Sequence, residues 1–148
     1  MELFDTLQKS KGKVFLGGTC VKDKEGNTYR DYLIPLLDID YFNPVVKNWT
    51  AECQAEEIKQ REECDYVLYV ITPEMKGVYS IAEVVDDSNK RPEKTIFCFN
   101  TSIHNKTNFD EKQSKSLEQV AKMVQENGAK FFRTLPEIAE YLNARIEE

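Results

Sequence analysis

An α/β fold, a five-stranded parallel sheet with helices on both faces, is what this sequence predicts, and two observations predict it. Apolar runs of strand length alternate along the chain with longer segments of helical period, the alternation that a parallel sheet with crossover helices requires. The third and fourth runs, YVLYVIT (66–72) and KTIFCFN (94–100), are apolar almost throughout, as strands covered on both faces must be.

The elements follow in order. The first strand is KVFLGG (13–18), followed by a helix near 29–37, and the second strand is DYFNPV (40–45). A helix over 51–64 opens TAECQAEEI, with Thr50 as its N-cap. The third strand leads through PEMKGVYS to a helix over 78–88, and the fourth strand leads into the polar stretch TSIHNKTNFDEKQS (101–114), the longest expected loop. A helix over 113–127 ends at Gly128, where a residue free to adopt positive φ closes the last turn. The strand KFFRT (130–134) and a helix over 135–146 complete the chain, with Thr134 as N-cap and Pro136 in the first turn. No internal repeat, low-complexity tract or second domain interrupts this order, so residues 1–148 are expected to form one domain.

Composition narrows the partner. A chain of 148 residues with 41% hydrophobic content can bury roughly 68–70% of the surface its unfolded form exposes. The net charge is -6 and the pI about 5.0, which argues against gripping a nucleic-acid polymer or an anionic membrane, since either needs a Lys/Arg excess. A small molecule is the expected partner. MELFDTLQKSKGKVFLGG has no apolar signal core, and no window reaches the ~18 apolar residues of a spanning helix; a soluble cytoplasmic protein is expected. Cys20, Cys53, Cys64 and Cys98 show no C-x-x-C spacing and read as reduced thiols. Asn48, Asn100 and Asn105 open N-x-[ST] sequons that carry no meaning without secretion.

In open parallel sheets ligands bind beyond the carboxyl ends of the strands, which directs attention to GGTCVKDKEGN, NPVVKNWT, PEMKGVYS and NTSIHNKT. Gly17 and Gly18 either let backbone approach a ligand or simply form a turn. Glu83 stands in the apolar run KGVYSIAEVV, near a helix N-terminus that favours an ionised carboxylate. It is either a solvated helical glutamate or an acid facing the Gly-Gly turn. Glu57 lies on a helix crowded with charge and eight residues before Asp65; a solvated face accounts for most of its neighbours, and Asp65 itself can pair locally. His104, the only histidine, lies in a polar loop, and no His/Cys/Asp cluster has metal-ligand spacing. No cofactor and no metal are expected.

The succession VFLGGT, YRDYLIPLL, YFNPVVKNW, AEEIKQREECDYVLYVITP and VYSIAEVV resembles the nucleoside 2-deoxyribosyltransferase-like family, and the related deoxynucleoside 5′-monophosphate N-glycosidases. Members show a strand ending in F-x-G-S, an aromatic-Arg pair, an N-P followed by Trp, an acid upstream of an Ala-Asp strand start, and a small-residue loop leading to x-E-L-G. The similarity runs from residue 13 to about 100. It implies a three-layer α/β/α fold of the flavodoxin/Rossmann kind and a nucleoside or nucleotide ligand. It also implies homo-oligomers whose pockets are completed by a neighbour's C-terminal residues; Tyr141 and Asn143 stand on an amphipathic helix that serves either that role or plain core packing.

Position by position, the resemblance makes Glu83 the nucleophile and Glu57 the acid that positions the sugar or handles the base. Gly17, Gly18 and Thr19 fall in the loop against the nucleoside, Gly77 and Ser80 at the sugar's 5′ end, and Asn43 and Trp49 beside the base. Val85 stands where the family has glycine, and Cys64 where it has alanine. The implied chemistry is N-glycosidic transfer or hydrolysis. A carboxylate below the ring stabilises an oxocarbenium-like state and then traps it, while a second acid gives its proton to the leaving base. The alternative is a catalytically silent nucleotide-binding or sensing module with the same fold.

Overall fold

The structure, a computed structural model, describes residues 12–99 and 108–144. His104, Asn100, Asn105, the first half of the 101–114 loop and the last residues of the expected final helix lie outside them. Five strands form one sheet: β1 (Lys13–Gly18), β2 (Asp40–Phe42), β3 (Tyr66–Ile71), β4 (Thr95–Phe99) and β5 (Lys130–Phe132). Their order is β2-β1-β3-β4-β5 and every pairing is parallel. The helices are α1 (Tyr29–Leu33), α2 (Ala51–Glu63), α3 (Tyr79–Lys90), α4 (Glu111–Glu126) and α5 (Leu135–Ala144). This is the three-layer, Rossmann-like α/β arrangement that the alternation of runs predicts.

Side chains of the central strands alternate between the two faces, as the two-residue period of a strand requires. Val14, Leu16, Leu68, Val70, Ile96 and Cys98 face one layer, where Tyr29 and Leu33 of α1 and Ile138 and Leu142 of α5 cover them. Phe15, Val67, Tyr69, Ile71, Phe97 and Phe99 face the other, against Val84 of α3 and Leu117, Ala121 and Val124 of α4. Burial on both sides explains the continuous apolar runs. Each fully buried Leu or Ile of these clusters contributes roughly 1.5–3 kcal/mol through area removed from water.

The element ends have local causes. Thr50 accepts from Cys53 N at 3.2 Å and Thr134 from Glu137 N at 3.3 Å, capping α2 and α5. Gly128, at φ 109°, follows the end of α4. Asp65 pairs not locally but across the sheet, its Oδ2 accepting from the distant Lys13 N at 2.8 Å. The expected second strand is shorter than 40–45: β2 stops at Phe42 because Asn43 turns the chain, Oδ1 accepting from Val45 N at 3.1 Å, and Pro44 has no N–H for a ladder. The expected helix near 29–37 becomes α1 followed by a 3-10 turn at Ile34–Leu36, where Pro35 enters. All four cysteines are unbridged.

The resemblance offered Tyr141 and Asn143 to a neighbour's pocket; this chain uses both internally. Asn143 Nδ2 donates to Leu36 O at 2.9 Å and its Oδ1 accepts from Asp38 N at 2.8 Å. Tyr141 packs its ring on Phe132 and against the edge of Tyr66.

Gly18 ends β1 at φ 111°, and a Cβ there would lie 2.1 Å from the carbonyl oxygen of Val70. Gly18→Ala should therefore lower stability by about 3 kcal/mol or more, adding a backbone conformation foreign to L-residues to an overlap with backbone that cannot yield. A urea titration checks this; a loss under about 1 kcal/mol would mean that β1 and β3 separate easily at this end.

Candidate active site

The strand order reverses between β1 and β3, the switch point at which open parallel sheets bind ligands. A cleft of about 310 Å³ opens there. Phe15, Gly17, Gly18 and Cys20 contribute from β1 and the turn after it, and Pro44, Val45, Val46 and Trp49 from the segment after β2. Gln54, Glu57, Ile58 and Arg61 line it from α2, and Tyr79, Ser80 and Glu83 from α3. The walls are mostly apolar, with two carboxylates, Glu57 and Glu83, and two guanidinium groups, Arg30 and Arg61, among them, a composition suited to a small polar ligand with an aromatic part.

Gly17, Gly18, Trp49, Glu57, Ser80 and Glu83 thus share one cleft. Thr19 and Gly77 belong to an adjoining crevice of about 190 Å³, which meets the cleft at Gly18, Cys20, Tyr79 and Ser80. The Thr19 hydroxyl is engaged in the fold, accepting from Thr72 N at 2.9 Å across the β1 and β3 ends. Asn43 does not line the cleft, because its side chain closes the turn that ends β2.

The Gly17–Thr19 turn is held from behind by Arg30, 1% exposed. Its Nε donates to Leu16 O at 2.8 Å and its Nη1 to Thr19 O at 2.9 Å, while Tyr29 Oη donates to Gly17 O at 2.6 Å. The aromatic-Arg pair is therefore scaffolding for the turn. Gly17 has a spatial reason for being glycine: a Cβ would lie 2.7 Å from the Tyr69 ring.

That space lets Tyr69 reach Asp87. Tyr69 Oη donates to Asp87 Oδ2 at 2.6 Å, and burial, with the Asp87 charge, holds the phenol far above its ordinary pKa. Asp87 is fully buried. It also accepts from Arg61, Nε to Oδ2 at 3.1 Å and Nη2 to Oδ1 at 2.9 Å, and from Arg91 Nη1. Burial works against the Arg61 charge, but hydrogen bonds and charge from Asp87 outweigh it and raise its pKa. Arg61 Nη1 stands 3.6 Å from Glu83 Oε2, close enough for charge attraction and too far for a good hydrogen bond.

Glu83 lies in the second turn of α3, 8% exposed. Burial pushes its pKa up to about 7, against the pull of Arg61, and Glu57, Asp87 and Asp86 add to the rise. The helix N-terminus that should favour an ionised carboxylate is outweighed by loss of water. Glu57 is raised as well, by burial, with Arg61 and Arg30 opposing. The two acids share a cleft and one cation, so their titrations are coupled.

This coupling has a consequence for stability. The folded pKa of Glu83 lies above its unfolded value, so stability falls as pH rises from about 4.5 through about 7. Glu83→Gln removes that penalty. Its stability should match the parent near pH 4 and exceed it at pH 8 by up to about 3 kcal/mol, read from urea midpoints across pH. A gap that does not widen with pH would place Glu83 in water.

Arg61, Tyr69, Asp87 and Tyr79 are the cleft and supporting residues that sequence reasoning missed. A signal existed in the spacing: Glu57 with Arg61 and Glu83 with Asp87 are i,i+4 pairs, each on one helix face. Among the described residues no group of three His, Cys, Asp or Glu side chains could hold a metal ion. No described helix is long and apolar enough to cross a membrane.

Fold and site together define an α/β protein with an acid-bearing cleft at the sheet's switch point. The family model described as nucleoside 2-deoxyribosyltransferase like matches residues 11–103. The chain belongs to that family. No curated protein matches the chain closely enough to count as a relative.

Proposed function

We propose that the protein cleaves or transfers the N-glycosidic bond of a deoxynucleoside or deoxynucleotide, with Glu83 as nucleophile and Glu57 as the proton carrier. The observation that carries this reading is the pair itself: two acids with raised pKa values in one largely apolar cleft, at the loops that the family match covers. In the first step a Glu83 oxygen forms an ester bond to C1′ while the C1′–N bond breaks. The bond pair leaves on the base nitrogen, which takes the Glu57 proton. In the second step water or the N–H of an acceptor base attacks C1′, the ester pair returns to Glu83, and the released proton goes to Glu57.

Gly17 and Gly18 bring backbone close to the sugar, Trp49 offers a ring face to the base, and Gly77 and Ser80 lie toward the 5′ end. Burial by the apolar walls favours a protonated Glu57, which the departure of the base requires. Glu83 must be ionised to attack while Glu57 must be protonated for the base to leave, so turnover should pass through a maximum as pH rises. Incubation with a panel of deoxynucleosides and their 5′-monophosphates, with and without a free base, tests the reading. Released base without acceptor denotes hydrolysis, and exchanged base denotes transfer. Binding without either would favour a silent sensing module.

A further inference from the structure

Arg61 carries no role in the steps above, yet it is the cation nearest the nucleophile's carboxylate in an ion pair. We propose that Arg61, anchored by Asp87, is the positioning residue of Glu83: it draws Oε2 toward the α2 wall, leaves Oε1 for C1′, and supplies a positive charge that favours the ionised carboxylate. The kinetic part of this proposal rests on the glycosidic reading; the electrostatic part does not.

The guanidinium is a planar fork whose donors have fixed directions. Nε and Nη2 are committed to Asp87, and Nη2 also to Asp86 Oδ2 at 3.1 Å, so the remaining Nη1 is aimed rather than free to wander. The anchor is itself fixed. Asp87 has no solvent exposure and also receives Tyr69 and Arg91, and Tyr69 sits where Gly17 leaves it room. A chain of contacts thus runs from the glycine turn through Tyr69, Asp87 and Arg61 to Glu83.

The competing role is mechanical. No residue of α2 is fully buried, and the Arg61 pair with Asp87 ties that helix to α3. The two roles differ in what they do to the titration of Glu83. That carboxyl is faced by Arg61 and Glu57 from α2, by Tyr69 from β3, and by Asp86 and Asp87 of its own helix. Arg61 alone among these is a cation, and it also opposes the rise of Glu57. Removing its charge should move both acids upward together.

The experiment compares the parent, Arg61→Gln and Arg61→Lys by carbon-13 titration of the Glu83 carboxyl in the ligand-free protein, assigned by its loss in Glu83→Gln. The parent midpoint should lie near 7. Arg61→Gln should raise it by roughly one unit or more, the size expected on losing an opposite charge at this range. Arg61→Lys keeps a charge against Asp87, and with it the fold if the glutamine variant loses it. A lysine ammonium lacks the guanidinium's rigid fork and is held less firmly between Asp87 and Glu83, so the lysine midpoint should fall between the other two.

Both limbs of the kcat/KM profile, which reports the free enzyme, should shift upward when the Arg61 charge is lost, while KM changes by less than about threefold, since positioning of a nucleophile acts on the transition state. Lower melting temperatures with an unmoved Glu83 midpoint in the folded variants would overturn the proposal and leave Arg61 a staple. Absence of base release by the parent would overturn the glycosidic reading alone, since the titration decides Arg61 without turnover.

Discussion

Glu83→Gln should slow base release by a factor on the order of 10³ or more, because a preorganised charge at the reacting centre is worth roughly 3–4 kcal/mol in the barrier. The substitution keeps size and hydrogen-bonding reach but removes both the negative charge facing the oxocarbenium-like state and the oxygen that forms the ester. Folding should not suffer, since the same charge is an electrostatic burden at neutral pH. Glu57→Gln should cost less, within the roughly 10²- to 10⁴-fold span of general acid catalysis, and most with poor leaving bases. Single-turnover rates across bases of graded acidity check both. A Glu83→Gln enzyme at near-parental rate would reduce Glu83 to a buried helical acid.

Asp87→Ala should be the most destabilising single change at the site, by about 3–5 kcal/mol, since it leaves Arg61 and Arg91 facing each other without their shared carboxylate. It also strips the Tyr69 hydroxyl of its acceptor. For a chain of this size that loss lowers the melting temperature by roughly 6–20 °C. Neutralising Glu111, whose pair with Lys115 is 82% and 76% exposed, should scarcely register. Calorimetry on the two variants decides. An Asp87→Ala protein as stable as its parent would mean that the two arginines regain water without cost, and that the contact chain from Tyr69 to Glu83 carries no weight.

The fold was legible because its cause is local. Continuous apolar runs of strand length, rich in β-branched and aromatic residues, fit strands covered on both faces, and the caps at Thr50 and Thr134 and the glycine after α4 are written in short spacings. The end of β2 was less so, since Asn43 could have continued the strand and its Asx turn is visible only once Val45 N is found against it. Glu83, Glu57 and the glycine turn were legible as candidates through the resemblance.

Partners chosen across elements were not legible. The i,i+4 spacing places Arg61 on the face of Glu57, but nothing in KQREECD shows that it is buried, because its value comes from Asp87, on another helix and 26 residues away. Thr19 reads as a ligand hydroxyl, yet the N–H of Thr72 at the neighbouring strand end needed an acceptor and took it. The pKa of Glu83 inverted for a similar reason. A helix N-terminus is a sequence feature, whereas burial beneath α2 belongs to the packed structure.

The central claim, that Glu83 forms a glycosyl ester, is tested most directly by trapping. A 2′-fluorinated deoxynucleoside analogue slows hydrolysis of such an ester, and mass spectrometry of the digested protein then finds where the sugar is held. One added sugar mass is expected, on the peptide containing Glu83, and none in Glu83→Gln. A sugar mass on another carboxylate, or base release by an active enzyme with no trapped ester, would contradict it.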